Sequence, residues 1–364
     1  MNKVLRRDSA LSMRLRPLTN KLAARRVRTR DLAAAAVETV IEQAEERERH
    51  IPPAFLPSQL EKARAGAAGK PSGDYELSLA TRDDLVHMPV VRYVLEDCLV
   101  HAAGVEHQGG SLRIQELQPS FIATRHIRRV PQAIYCMSGV SHQFFGHWLQ
   151  DSCATALLRQ EDEALLLTKP AAWPHAGEYS AALGLAPEPW DLLRVDRLTI
   201  YDDFSQGSSK RRRYAEMRRR LEASFGGGRA GGRRVYFRRG ATGAVRLVAN
   251  EDAVIATLRR RGFEVFDLAG ASAEQIYARF RDAEFVVSVD GSHLNHLYFS
   301  MQPGARLMTF VQGDRCTMTQ VGYCAAAGLR YGFMVVDPTP AGYQVSIADL
   351  NDSLDLMGLT ETTA

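Results

Sequence analysis

Two histidine-bearing clusters and one arginine-rich segment hold most of the reactive side chains of this sequence. The first cluster, Asp290-Gly291-Ser292-His293-Leu294-Asn295-His296, follows an apolar run at residues 284–289. A glycine lets backbone come close to a ligand, and free amides at a helix start attract phosphate. Ser292, His293 and His296 add hydrogen-bonding groups at the same place. A core strand that ends in polar residues needs partners for them, because buried polar groups cost free energy unless paired. A strand-to-helix turn with a serine cap and surface histidines is the simpler account of the same residues.

The second cluster is Ser141-His142-Gln143-Phe144-Phe145-Gly146-His147-Trp148-Leu149-Gln150-Asp151. On a helix that starts at His147, His147 and Asp151 share one face. A carboxylate orients an imidazole and raises its basicity, which makes such a pair suited to proton transfer. From spacing alone, a helix start with a packed Trp148 and an exposed i,i+4 pair is the better account. The third segment is Arg233-Arg234-Val235-Tyr236-Phe237-Arg238-Arg239-Gly240, followed by Arg246 and by Asn250-Glu251. Arginines just past a strand can clamp a diphosphate, or can simply be solvated. Helix capping accounts for Asn250 and Glu251, and a capping box with Ser272 accounts for Gln275.

Several familiar chemistries are missing. The chain has no G-x-x-x-x-G-K-Ser/Thr, no H-E-x-x-H and no G-x-S-x-G. Gly226, Gly228 and Gly231 fit G-x-G-x-x-G but precede a strand instead of following one, so they carry no weight. The spacings His142/His147 and His293/His296 do not form a standard zinc set, and no metal site is expected. Cys98, Cys136, Cys153, Cys316 and Cys324 show no C-x-x-C pattern. Neither a disulfide framework nor structural zinc is expected, and a reducing cytoplasm is the default compartment. Tyr201-Asp202-Asp203 and Glu161-Asp162-Glu163 sit among polar residues and read as solvated.

The elements that must hold these groups alternate regularly only in the second half. Strands are expected near 235–237, 263–268, 284–289, 306–311 and 332–336, with helices after Asn250 and Ser272 and around 294–300 and 318–328. Short connections between alternating strands and helices predict a parallel sheet with helices on both faces, and ligands beyond the carboxyl ends of its strands. The middle of the chain is less regular, with strands expected at 90–99, 112–117, 133–137, 165–168 and 198–201 and a helix at 148–159. The alanines and glutamates of 31–48, with Asp31 as N-cap, predict a helix. These features suggest an extension at 1–70, a first domain at 71–205 and a second at 206–364.

With 45% hydrophobic and 24% charged residues, the 364-residue composition is that of a soluble globular protein. No run approaches the roughly 20 apolar residues of a membrane span, and the basic N-terminus lacks the apolar core of a secretory signal. The formal net charge of +4 is unevenly placed, crowding residues 1–30 and 210–239. Such stretches suit anionic lipid, a phosphorylated ligand or nucleic acid. The run 210–220 lacks interleaved aromatics beyond Tyr214, which counts against nucleic acid.

Taken in order, the clusters resemble glycosyltransferase family 61 over roughly residues 130–312. The segment His147-Trp148-Leu149-Gln150-Asp151 matches the family's His-Trp-Leu-x-acid. Tyr236-Phe237-Arg238-Arg239 and Arg246-Leu247-Val248-Ala249-Asn250-Glu251 correspond to its Tyr-Ile-Ser-Arg, with Arg238 in place of the serine, and to its Arg-x-x-x-Asn-Glu. Gly262-Phe263-Glu264-Val265, the Glu274-Gln275 helix with Phe280, and Ala283-Glu284 follow in family order. Two departures stand in the last block, where Asp290 replaces the usual histidine and His296 the usual asparagine.

The resemblance implies a GT-B fold of two Rossmann-like domains and metal-independent, inverting transfer from a nucleotide sugar, often a UDP-sugar. The acceptor would be a hydroxyl of a glycan, such as a capsular or lipid-linked one, and no further cofactor is implied. A cytoplasmic enzyme whose basic N-terminus touches the anionic inner face of a membrane fits this picture. On that basis Asp151, His147 and then Asp290 are the candidate bases, and Arg239, Arg246, Gly291, Ser292, His293 and His296 the candidate donor-binding residues. A non-catalytic relative that only binds a sugar nucleotide or glycan is the alternative, and a basic nucleic-acid-binding protein the more distant one.

Overall fold

A computed structural model of the chain describes residues 32–70, 72–115, 127–168, 173–227, 231–240 and 246–359. The basic N-terminal segment, the Asp31 cap and Leu117 lie outside the described residues. In chain order the first elements are β1 (Glu38–Gln43), β2 (Glu46–Arg49), α1 (Pro57–Ala67), α2 (Gly73–Thr81), β3 (Asp84–His87), β4 (Val90–His101), β5 (Gly104–His107) and β6 (Gly110–Arg113). Next come β7 (Arg128–Tyr135), α3 (Gly139–Gln143), α4, β8 (Ala164–Leu166), α5 (Pro174–Ala182) and β9 (Leu192–Asp202). Helix α4 joins Phe145–His147, a π-helical turn Trp148–Ser152 and Cys153–Ala156. The remainder comprises α6 (Ser208–Phe225), β10 (Arg233–Arg238), α7 (Glu251–Arg260), β11 (Phe263–Asp267), α8 (Ala273–Phe280), β12 (Ala283–Val289) and α9 (Asn295–Ser300). It closes with β13 (Arg306–Gln312), α10 (Thr319–Ala327), β14 (Arg330–Thr339), β15 (Gly342–Gln344) and α11 (Ile347–Leu356).

These residues form two compact units, one running to Glu45 and resuming at Met88–Ser205, the other made of Glu46–His87 and the chain from Gln206 on. The division departs from the expected 1–70, 71–205 and 206–364, because residues 46–87 belong with the C-terminal half. Buried Gln59 explains why. Its amide donates to Asp349 at 2.8 Å and accepts from the backbone of Val335 at 2.7 Å. Glu76 accepts from the backbone N–H of Met318 at 2.6 Å. Such partners, hundreds of residues away, leave no local signal.

The helix expected at 31–48 is absent among the described residues, where β1 and β2 stand instead. β1 pairs antiparallel with β4, and Arg92 of β4 donates to Glu38 and Glu42 at 2.6 and 3.0 Å. Tertiary pairing of the β-branched Thr39-Val40-Ile41 run overrides the helix propensity of its neighbours.

The first unit holds a seven-stranded sheet in the order β6-β5-β4-β9-β7-β8, with β1 also on β4. Only β7 pairs in parallel, with β8 on one side and β9 on the other. This unit is therefore a mixed sheet, not the fully Rossmann-like domain expected, because the β4-β5-β6 meander is antiparallel and β9 pairs antiparallel with β4. Its parallel part is still a βαβαβ unit whose first strand lies centrally. Trp148 is fully buried there, with its indole N–H donating to the carbonyl of Thr168 at 2.9 Å.

The second unit is a six-stranded sheet in the order β11-β10-β12-β13-β14-β15, parallel except for β15. Relabelled by chain order, its parallel strands run 2-1-3-4-5, a doubly wound topology that changes direction between β10 and β12. Helices cover both faces. Val254 and Leu258 of α7 and Leu350 and Leu354 of α11 join one core with Tyr236, Val287 and Phe310. On the other face Phe237 meets Phe280 of α8 with ring centroids 4.6 Å apart. Crossover helices on both sides of a parallel sheet bury its strands twice, which is why they read as continuous apolar runs.

Helix α6 occupies much of the basic stretch 210–239. Lys210, Arg213, Tyr214, Met217 and Leu221 are its buried stripe, spaced for one helical face but disguised by two basic residues. Arg218 donates to the carbonyls of Tyr298 and Ala327, and Arg219 and Arg220 pair with Glu216. Several of the positive charges in 210–220 are thus engaged within the unit.

Ser272 and Gln275 form a reciprocal capping box on α8, at 3.1 and 2.9 Å. Ser272→Ala is expected to lower stability by about 1 kcal/mol, read as a lower urea midpoint with unchanged slope. Asn250 corrects its expected role. Its side chain does not cap α7 but brackets the backbone of Val345, accepting at 3.0 Å and donating at 2.8 Å.

Candidate active site

In the second unit the topological switch point brings together the ends of β10 and β12, and with them Arg239, Arg246 and the Asp290-Gly291-Ser292-His293 turn. A β-carbon built on Gly291 would stand 2.8 Å from Nη1 of Arg239, 3.1 Å from Nη1 of Arg246 and 3.2 Å from Nδ1 of His293. Three nitrogen groups from three segments therefore converge beside this glycine. Its φ of 161° is extended backbone open to any residue. Room, not conformation, is what requires glycine here.

Asp290 anchors the cluster. Its buried carboxylate accepts from Arg246 Nη1 at 3.2 Å and from Gln320 Nε2 at 2.6 Å, and Arg246 also donates to its carbonyl. Burial raises Asp290 above the usual carboxylate range, with Arg246 and Gln320 opposing the shift. Two partners already occupy the side chain, an arrangement suited to fixing Arg246 rather than to meeting a substrate. Burial, with Arg246 close by, lowers Arg239 to about 10, and burial lowers Arg246 as well. Arg315 adds to the lowering of both, while Asp290 opposes it, so positive charge outweighs the single buried carboxylate at this turn.

His293 is buried against Phe237 and is held well below the usual histidine range, first by burial and then by Arg239, His296 and Arg246. His296 is buried too, within α9. The helix start expected to bind phosphate is slight: a 3-10 turn, Ser292–Leu294, and then the six residues of α9. Few peptide dipoles align in so short a helix, and the guanidinium groups carry the positive charge instead. Arg238 lies outside the cluster, with Nε donating to Glu251 at 2.8 Å, and Tyr236 donates to the same carboxylate at 3.0 Å. Glu251 is thereby structural.

In the first unit the π-helical turn of α4 sets Asp151 beneath His147, with Nδ1 and Oδ2 2.8 Å apart. π turns of this kind recur at functional sites. A carboxylate at Nδ1 fixes the tautomer with the proton there, which leaves Nε2 with a free lone pair. The His147 side chain is 32% exposed and that of Asp151 only 10%. The imidazole is thus the more exposed member of the pair, while the carboxylate borders a neighbouring cavity. A cavity of about 390 Å³ at the ends of β7 and β9 is lined by Tyr135, Ser138, Asp151, Tyr201 and Asp203, among others.

Asp203 corrects the expectation of a solvated acidic cluster. It is buried and accepts from Thr155 Oγ1 at 3.0 Å. Burial and the neighbouring Asp203 raise Asp202. Glu163 is likewise buried, accepting from Thr199 and from the backbone of Gln160. Gln320 and Ser288 also went unmarked in the sequence, since an amide and a hydroxyl inside regular elements carry no spacing signal. Among the described residues no three His, Cys, Asp or Glu side chains are grouped to hold a metal ion, and no helix is long and apolar enough to cross a membrane.

Fold and site define an α/β protein with two arginines and a histidine gathered at the switch point of a doubly wound sheet and a histidine–carboxylate pair in its other unit. Residues 145–308 match the family model for Glycosyltransferase 61, a span that contains His147, Asp151, Arg239, Arg246 and the whole Asp290–His296 turn. The match supports glycosyltransferase family 61 for this chain, and that family implies glycosyltransferase activity. No curated protein matches the chain.

Proposed function

We propose that this protein transfers a sugar, with inversion and without a metal, from a nucleoside-diphosphate donor to a hydroxyl of a glycan or lipid-linked glycan. A UDP-sugar is the donor class that the family resemblance implies. The observation that carries the reading is the convergence of Arg239, Arg246 and His293 around Gly291. The leaving diphosphate carries about two negative charges near neutral pH, and arginines already in place stabilise it without reorganising. In the first unit, Nε2 of His147 is the general base that takes the acceptor proton, and Asp151 holds the ring and stabilises its charged form. Asp290, once a candidate base, becomes the anchor of Arg246. The two units then form the donor and acceptor sides of a GT-B enzyme. The basic N-terminal segment is proposed to meet anionic lipid at the inner face of the membrane.

The test is a transfer and hydrolysis assay of the full chain against a panel of UDP-, GDP- and dTDP-sugars, with release of the nucleoside diphosphate as the readout. Release that depends on both Arg239 and His147 is expected with at least one donor. Binding of a nucleotide sugar without any release would leave the non-catalytic relative as the better reading.

A further inference from the structure

Ser288 Oγ lies 2.7 Å from the carbonyl oxygen of Phe237 and 2.8 Å from Nε2 of His293. The hydroxyl has one proton, and a carbonyl can only accept. Ser288 therefore donates to Phe237, and its oxygen must accept from His293. The proton of the neutral imidazole is on Nε2, and Nδ1 carries a bare lone pair. That Nδ1 is buried and has no hydrogen-bond partner, and it lies 3.2 Å from the β-carbon position of Gly291, the same point that Nη1 of Arg239 and Nη1 of Arg246 approach at 2.8 and 3.1 Å. An anionic oxygen drawn in by the two guanidinium groups would meet this lone pair. Two lone pairs repel unless a proton stands between them.

We propose that His293 is a proton-taking specificity residue of the anion site: a diphosphate that binds there is accompanied by one proton from solvent, bound at Nδ1. The proposal rests on the donor-site reading above and adds a protonation step to it. On binding, the neutral ring becomes an imidazolium, with Nε2–H still donating to Ser288 and the new Nδ1–H donating to a phosphate oxygen. No other bond changes. The charged groups around the ring are Arg239, Arg246 and the imidazole of His296, which oppose protonation until an anion arrives. Asp290 does not relieve them, since Arg246 and Gln320 engage its carboxylate.

The sign follows from linkage. The free site has the lowered affinity for a proton and the occupied site a raised one. Between those two limits diphosphate affinity falls by about tenfold for each unit of rising pH. A histidine that merely packed against Phe237 would give no such slope. The device also distinguishes donor from product. The terminal phosphate of a free nucleoside diphosphate can bring its own proton below about pH 6, whereas the diester of a nucleotide sugar has none to bring.

Calorimetric titration of the full chain with UDP at pH 8, in buffers of different ionisation enthalpy, counts the protons taken up. Uptake near one per UDP in the native protein, and near zero in His293→Gln, is the expected result. Binding without uptake overturns the proposal and leaves the donor site intact. Uptake that survives His293→Gln places the proton on the phosphate and overturns it as well. Inorganic pyrophosphate separates the two readings: proton-coupled binding of pyrophosphate without UDP binding supports the proposal and sinks the donor assignment, and binding of neither sinks both. Nitrogen-15 imidazole spectra of the free protein test the starting state. The Nε2–H tautomer is expected, and an Nδ1–H tautomer contradicts the proposal whatever binds.

Discussion

His147→Ala is expected to slow sugar transfer by about 10²–10⁴ while UDP affinity barely changes. The imidazole belongs to the first unit, and the groups assigned to the diphosphate belong to the second, so rate and donor affinity are expected to separate. Asp151→Asn removes the charge that holds Nδ1–H but leaves an oxygen able to accept from it, and it too is expected to cost rate. The double variant should be no slower than the slower single one, since residues that act as one unit are not additive. Transfer rate, donor affinity and melting temperature on the three proteins decide the matter. Full rate in His147→Ala with a large loss in Asp151→Asn would move the base to the carboxylate. A loss of melting temperature that tracks the loss of rate would make the pair structural.

Gly291→Ala is expected to weaken UDP binding by roughly 10- to 100-fold, as losing one hydrogen bond between charged groups costs about 1.5–3 kcal/mol. The added methyl would stand 2.8 and 3.1 Å from the two arginine nitrogens, so the guanidinium groups must swing out of place. Because the crowded atoms are the ends of flexible side chains, and the backbone there is extended, melting temperature should change little. Gly291→Val should abolish binding through the same contact. Unchanged UDP affinity in either variant would remove this turn from the donor site. A fall in melting temperature equal to that of a core deletion would make the glycine a packing residue instead.

How far the sequence revealed these features depended on whether the signal was local. The second unit was legible because its strands are doubly buried apolar runs and its helices carry their own caps, as Ser272 and Gln275 do. The first unit was not, because its meander is defined by pairing. Nothing near Glu38–Gln43 announces β4 as its partner, and the helix-favouring residues around it mislead. Helix α6 was hidden for a different reason: Lys210 and Arg213 sit where apolar residues would mark a stripe.

Site residues followed the same division. Arg239, Arg246, Gly291 and His293 drew notice through their types and places, and folding brings them together. Asp290 drew notice as a possible base, and only its contacts with Arg246 and Gln320 show it to be an anchor. Asp203 and Glu163 looked solvated because their neighbours in sequence are polar, although their own side chains point inward to Thr155 and Thr199. Ser288 has the least visible part, since a serine in an apolar strand gains its meaning from a histidine five residues later and a carbonyl of another strand.

The central claim is that the switch point between β10 and β12 binds the diphosphate of a nucleotide donor. Calorimetric titration of UDP into the full chain, alongside the Arg239→Ala/Arg246→Ala double variant, tests it most directly. Saturable binding of one UDP per chain, lost in the double variant without a matching loss of melting temperature, is the result this account predicts. Failure of the native protein to bind UDP, or binding that is indifferent to both arginines, would contradict it.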